Sequence, residues 1–191
     1  TDTEWSKDGT MVSASVSPGQ GRLFTAATGA EKSRTAESSP NNHVSALSPD
    51  GSLFYMELRP GITAYNTQTG AVVRRFQNLS GEASAVSASP DGKYLLIGGA
   101  EGQVLLHNVA SGALLSEVTG KGGFIASLEW DPSGKSFTVG RVNGPSPSSV
   151  SVYVLDGTVP RRIQHQVLGG TEMDFFRVRY AKDGQTLLVQ A

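Results

Sequence analysis

Apolar positions in this chain come in short runs bounded by turn-forming residues. Leu53-Phe54-Tyr55-Met56, Tyr94-Leu95-Leu96-Ile97 and Val104-Leu105-Leu106 are apolar at successive positions and rich in β-formers. A strand with apolar residues on both parities buries both faces, as a sheet stacked between two neighbours requires. No helix-length segment carries the ~3.6-residue period of an amphipathic helix. The pattern therefore predicts an all-β chain of short strands joined by tight turns.

The turns keep a register. Ser6-Lys7-Asp8-Gly9, Ser48-Pro49-Asp50-Gly51, Ser89-Pro90-Asp91-Gly92, Asp131-Pro132-Ser133-Gly134 and Ala181-Lys182-Asp183-Gly184 recur with glycine-to-glycine steps of 42, 41, 42 and 50. A second marker interleaves: Thr28-Gly29, Thr69-Gly70, Ser111-Gly112 and Asp156-Gly157, with steps of 41, 42 and 45. Proline at the second turn position presets φ, aspartate tolerates the next, and glycine takes the left-handed one. The expected geometry is a type I turn closed by a glycine bulge, with positive φ at Gly51, Gly92 and Gly134. A period of ~40–45 with four strands per repeat is that of a β-propeller blade.

Ile125-Ala126-Ser127-Leu128-Glu129-Trp130-Asp131-Pro132-Ser133-Gly134 resembles the innermost strand and first turn of a WD40 repeat, and Ala85-Val86-Ser87-Ala88-Ser89-Pro90-Asp91-Gly92-Lys93-Tyr94-Leu95 is similar. The Trp-Asp pair is replaced by Ala64-Tyr65-Asn66, Leu106-His107-Asn108 and Tyr153-Val154-Leu155. Only Asn42-His43 and Gly81-Glu82 lie near the place of the Gly-His pair. The chain thus looks like a divergent WD40-like repeat protein, with the YVTN type an equal alternative. The resemblance implies a partial β-propeller of antiparallel four-stranded blades, strands a to d: blade 1 over 1–38, blade 2 over 39–80, blade 3 over 81–121 and blade 4 over 122–168. Residues 169–191 supply strands a and b of a fifth. The missing strands and blades are expected from the rest of a longer chain or from another chain, leaving an unpaired edge near Thr186–Gln190.

Charge and composition narrow the function. Sixteen basic against seventeen acidic residues give a net charge of −1, which argues against nucleic acid as the main ligand. With no cysteine, disulfides, thiolate chemistry and cysteine-bound zinc are excluded. No apolar run approaches the length of a spanning helix. The chain opens on Thr1 without a charged-then-apolar leader, so any targeting segment is expected outside it, and a cytoplasmic location is slightly favoured.

Catalytic signatures are missing. His43, His107 and His165 are spaced by 64 and 58 residues, far from metal-ligand spacing, and His107 falls inside an apolar strand. The blade-axis stretches Asn42-His43, Glu82-Ala83, Gly123-Phe124 and Asp174-Phe175 are too mixed for an axial metal site. Gly98-Gly99-Ala100-Glu101-Gly102 sits between two strands with no helix after it, so it reads as a turn and not a phosphate loop. Asn78-Leu79-Ser80 fits the N-glycosylation pattern, which carries no weight without secretion. Arg74-Arg75 and Arg161-Arg162, with Arg34 in the corresponding place, fall on outermost strands. They read as edges kept soluble by charge, or else as a basic rim for an acidic partner.

Loop length singles out one blade. The step from Gly134 to Gly157 is 23, against 20, 19 and 20 in the earlier blades, and that from Gly157 to Gly184 is 27, against 22 in each earlier case. Both insertions fall at the end of blade 4 that carries its b–c and d–a loops. Asn143, Ser146 and Ser148 (with Ser149) on the first loop, and Glu172, Met173, Asp174 and Arg177 on or beside the second, are the candidate partner-binding residues. Their acidic, hydroxyl and single apolar groups suit a protein or peptide surface, and the carboxylates would repel phosphates. No catalytic residue, metal or cofactor is assigned. The expected function is a non-enzymatic protein–protein interaction scaffold within a larger protein. The alternative is the propeller portion of an enzyme, either a hydrolase with its catalytic domain elsewhere or a hydrolytic propeller with an axial site.

Overall fold

A computed structural model describes residues 3–16, 19–39, 44–119, 123–143, 146–168, 177–181 and 183–190. The chain divides into two compact units, Thr1–Asn78 and Leu79–Ala191. The first holds two four-stranded antiparallel meanders: β1 (Thr3–Trp5), β2 (Met11–Val16), β3 (Gln20–Thr25) and β4 (Glu31–Ser38), then β5 (Ser45–Leu47), β6 (Leu53–Glu57), β7 (Ile62–Asn66) and β8 (Val72–Phe76). The second holds β9 (Ala83–Ala88), β10 (Tyr94–Gly99), β11 (Val104–Asn108) and β12 (Leu114–Val118), then β13 (Phe124–Trp130), β14 (Ser136–Asn143), β15 (Ser146–Asp156) and β16 (Val159–Val167). A two-stranded sheet of β17 (Arg177–Tyr180) and β18 (Leu187–Gln190) follows. Four consecutive blades and two strands of a fifth make an all-β, partial β-propeller.

The first turn of each blade is closed by side chains. In blade 2, the Ser48 hydroxyl donates to the Asp50 carboxylate at 2.6 Å and accepts the Leu53 amide at 2.9 Å, while Asp50 accepts the Ser52 amide at 3.0 Å. The Gly51 amide donates to the Ser48 carbonyl at 2.9 Å. Ser6 with Asp8 and Ser89 with Asp91 repeat this arrangement. In blade 4 the acid moves to the first position: Asp131 accepts the Lys135 amide at 3.0 Å and the Ser133 hydroxyl at 2.8 Å. Gly51, Gly92 and Gly134 have φ of 68°, 72° and 72°, the left-handed values expected of them. The second turn rests on Asn66 and Asn108, whose side-chain oxygens accept the Thr69 amide at 3.0 Å and the Ser111 amide at 2.8 Å. Each asparagine organises its turn as a short polar side chain can.

In blades 2, 3 and 4, strands b and c are buried on both parities, whereas in blade 1 burial alternates along β2. Phe54, Tyr55 and Met56 of β6 and Leu95, Leu96 and Ile97 of β10 are all shielded from water. Each such side chain contributes about 1.5–3 kcal/mol of hydrophobic stabilisation. In the first unit, Leu23, Phe54, Met56 and Tyr65 form the core between the two sheets. In the second, Leu96, Leu106, Ile125, Trp130, Phe137 and Tyr153 join blades 3 and 4. Innermost strands are also tied laterally. The Ser84 hydroxyl donates to the Ile125 carbonyl at 2.8 Å, and the Val178 amide donates to the Ser127 hydroxyl at 3.1 Å. The c–d pairing slips register in all four complete blades, between Leu23/Phe24, Ala64/Tyr65, Leu106/His107 and Val152/Tyr153.

The outer-strand arginines divide. Arg34 pairs with Glu31 at 2.7 Å, and Arg75 grips both Glu37 oxygens at 2.7 and 3.0 Å. The Tyr65 hydroxyl also donates to Glu37 at 3.3 Å. Hydrogen bonding from Arg75 holds the Glu37 carboxyl below its usual range, and burial first, then the Glu37 charge, pushes Tyr65 up to about 12. Arg75 is therefore a clamp between blades 1 and 2, and neither a free solubilising charge nor part of a basic rim. Arg161 and Arg162 remain exposed on β16.

Candidate functional site

The extra length in the b–c region of blade 4 is built as strand. β14 has eight residues and β15 eleven, against six and five for β10 and β11. Pairing runs out to Asn143 opposite Ser146, so both candidates sit at the tip of a hairpin and not on an open loop. Adjacent residues of β15 point to opposite faces, and both faces are covered here. Ser148 is only 3% exposed and Ser149 6%, and the Ser148 carbonyl accepts the Leu168 amide at 2.8 Å. The expectation that Ser148 and Ser149 offer hydroxyls to a partner is corrected on this point. Arg177 opens β17 and is exposed, while Glu172, Met173 and Asp174 lie outside the described residues.

What holds the hairpin is an apolar cluster. Val150 and Val178 are its buried members, with Val142, Leu168 and Leu187 packed against them. Because Val178 adjoins Arg177, the cluster draws the strand carrying that arginine against the hairpin. Arg141 of β14 reaches the b–c turn of blade 3, its guanidinium donating to the Gly102 carbonyl at 2.9 Å. Desolvation lowers its pKa, and the nearby Arg162 charge acts in the same sense. That turn is closed by the Gly102 amide on the Gly99 carbonyl at 3.1 Å, as the turn reading of Gly98–Gly102 requires.

Two polar pairs escaped sequence reasoning. Ser151 and the Nδ1 of His165 lie 2.9 Å apart across β15 and β16, a hydrogen bond that fixes the register beyond the slip at Val152/Tyr153. Their separation of 14 residues gave no signal, because a cross-strand pair is visible only once the turn is placed. His107 is fully buried, with Nδ1 3.2 Å from the Gly112 carbonyl, and so braces its own turn. Among the described residues, no group of three potential metal ligands converges, and no helix is long and apolar enough to cross a membrane.

Antiparallel four-stranded blades, repeated in sequence order and packed face to face within each unit, define the β-propeller class. Within it, the chain is similar to a solved chain of Kuenenia stuttgartiensis hydrazine synthase, with a TM-score of 0.85 and 19% identity over 98% of this chain and 54% of that one. It thus spans about half the length of that neighbour. At that identity the likeness shows the fold. No protein-family model and no curated protein sequence matches the chain.

Proposed function

We propose that the chain is a WD40-like or YVTN-type propeller segment acting as a non-enzymatic interaction scaffold within a larger protein, with a protein or peptide as its partner. The observation that carries this is the lengthening of blade 4. β14 and β15 extend to a polar tip at Asn143 and Ser146, and β16 runs nine residues with Val159, Ile163 and Val167 each more than half exposed. Apolar side chains held in water beside Arg161 and Arg162 have the composition of a protein-binding surface more than of an ordinary edge. Pro147 beside the tip limits the ordering cost on binding, and binding residues accumulate on peripheral segments of rigid frames. Glu172, Met173 and Asp174, which precede the exposed Arg177 in sequence, are the further candidates, and their two carboxylates disfavour nucleic acid.

A displayed random-peptide library panned against the 191-residue chain tests this reading. Selected peptides should lose binding to the Asn143→Gly/Ser146→Gly variant or to Glu172→Ala/Asp174→Ala, with melting unchanged. Peptides that bind both variants as well as the parent would remove the patch. A second reading, the propeller portion of an enzyme, is favoured by the one fact that the structural neighbour carries the name of a synthase.

A further inference from the structure

Aspartate stands directly before glycine five times, at Asp8-Gly9, Asp50-Gly51, Asp91-Gly92, Asp156-Gly157 and Asp183-Gly184. A glycine in that place leaves the aspartate carboxyl open to attack by the next main-chain nitrogen, because no Cβ shields that nitrogen. All five aspartates are exposed, so access to water does not tell them apart. Hydrogen bonding does.

Four of the pairs lie in first turns and are locked at both reacting groups. The Gly9, Gly51 and Gly92 amides donate to the carbonyls of Ser6, Ser48 and Ser89, each at 2.9 Å, and the Gly184 amide donates to that of Ala181 at 3.0 Å. The carboxylates are held as well. Asp8 accepts the Ser6 hydroxyl at 2.6 Å and the Thr10 amide at 3.0 Å, and Asp183 accepts the Gln185 and Thr186 amides at 2.9 and 3.0 Å. Asp50 accepts from Ser48 and Ser52, and Asp91 from Ser89 and Lys93. Bonds to the ionised form keep it ionised, and a carboxylate anion is a poor electrophile. They also fix the rotamer, so the carboxyl carbon cannot swing onto the glycine nitrogen.

Asp156-Gly157 lies in the second turn of blade 4, between β15 and β16, at the end of β15 remote from Ser146. Among the described residues its carboxylate accepts no hydrogen bond and forms no ion pair, and the Gly157 amide donates to no acceptor. Nothing lies within 4 Å of the place a Gly157 Cβ would take, so a ring can close there without a clash. The Ser116 hydroxyl holds the turn by the Thr158 carbonyl, at 2.8 Å, and bonds to neither reacting group. We propose that Asp156-Gly157 is the chain's site of isoaspartyl formation, a main-chain modification to which the four hydrogen-bonded pairs are closed. The Gly157 nitrogen, giving up its proton, bonds to the Asp156 side-chain carboxyl carbon, and the carboxyl hydroxyl leaves as water. Water then adds to the Asp156 main-chain carbonyl of the cyclic imide and breaks its bond to nitrogen. The water released in the first step is taken up in the second, and nothing is oxidised or reduced. The chain now runs through the side-chain carbon, one atom longer, with a free α-carboxyl of the kind that S-adenosylmethionine-dependent carboxyl methyltransferases esterify. The added atom falls beside the Asp156–Val159 pair that opens the β15–β16 ladder, on the strand that carries Arg161 and Arg162.

The 191-residue chain is incubated at mildly acidic pH, folded and, in parallel, unfolded in guanidinium chloride. Its digest is then mapped by mass spectrometry with electron-transfer fragmentation, which separates isoaspartate from aspartate. Unfolded, the five pairs should convert at comparable rates, since each is the same dipeptide. Folded, conversion at Asp8, Asp50, Asp91 and Asp183 should fall many-fold, while Asp156 keeps most of its unfolded rate. Asn143-Gly144 reaches the same linkage by losing ammonia and is told apart by its change in mass. Asp156→Glu, whose longer side chain closes the ring far more slowly, should leave the folded chain without an isoaspartate that forms at constant mass. Protection of Asp156 equal to that of the other four overturns the proposal. So does faster conversion at any of the first turns.

Discussion

Gly29 and Gly70 occupy the same place in the second turns of blades 1 and 2, with φ of 68° and 70°. Their surroundings differ completely. A Cβ on Gly29 meets nothing within 4 Å, whereas one on Gly70 would land on the Arg34 carbonyl oxygen of β4, with the carbonyl carbon at 2.8 Å. The Gly29→Ala variant therefore measures the left-handed backbone penalty alone, about 1–2 kcal/mol. Gly70→Ala carries that penalty and also forces backbone from backbone, which no rotamer change can relieve. Separation of the two sheets would stretch the 2.9 Å hydrogen bond from the Ala36 amide to the Gly70 carbonyl. Overpacking of this kind adds about 1–3 kcal/mol, so Gly70→Ala should cost about 2–5 kcal/mol in all. Urea unfolding followed by circular dichroism reads both, with the slope held constant as a check that only the native state has changed. If the two variants fall within about 0.5 kcal/mol of each other, the close approach of blades 1 and 2 at this turn is wrong.

Two further outcomes follow from the turns. The Asp8 carboxyl is held at about 2, against an ordinary 3.8, by the Ser6 hydroxyl above all and then by the Thr10 amide and hydroxyl. A depressed carboxyl stabilises the fold above its unfolded pKa and loses that contribution as pH falls toward the folded value. The urea midpoint should thus drop as pH falls from 3.8 toward 2, and less steeply in Asp8→Asn; superimposable profiles would contradict the arrangement. Ser89→Ala removes a fully buried hydroxyl that accepts the Tyr94 amide and donates to Asp91. The stranded amide should cost about 1–3 kcal/mol, and a denaturation midpoint matching the parent's would show that the hydroxyl does not close the turn.

The propeller was legible because its turns admit few residues. A glycine with left-handed φ leaves a mark at a fixed sequence position, and nine such marks, with steps of 41 or 42 until blade 4 lengthens them, define the blades. The roles of Ser48 and Asp50 were implicit in the same tetrapeptides, since a side chain reaches only a few residues along the turn. The Glu37–Arg75 clamp, 38 residues apart, had no such local trace, and the arginine looked like one charge among several on an outer strand. Ser148 failed for another reason. The extra length is built as strand and not as loop, and β15 is covered on both faces, so the adjacent Ser148 and Ser149 are buried alike.

The register slip shared by the four c–d pairs bears on how the protein behaves at high concentration. An outermost strand that ran straight and in register would offer a continuous row of amides and carbonyls to any passing chain. A bulge on that strand bends and twists it, so a second molecule can match only a few residues before the spacing fails. The period of the repeat thus spaces interruptions along the rim, each a built-in guard against fibril-like stacking. The β17–β18 pair has a continuous register from Arg177–Gln190 to Tyr180–Leu187, and Leu188 and Val189 are solvent-exposed on β18.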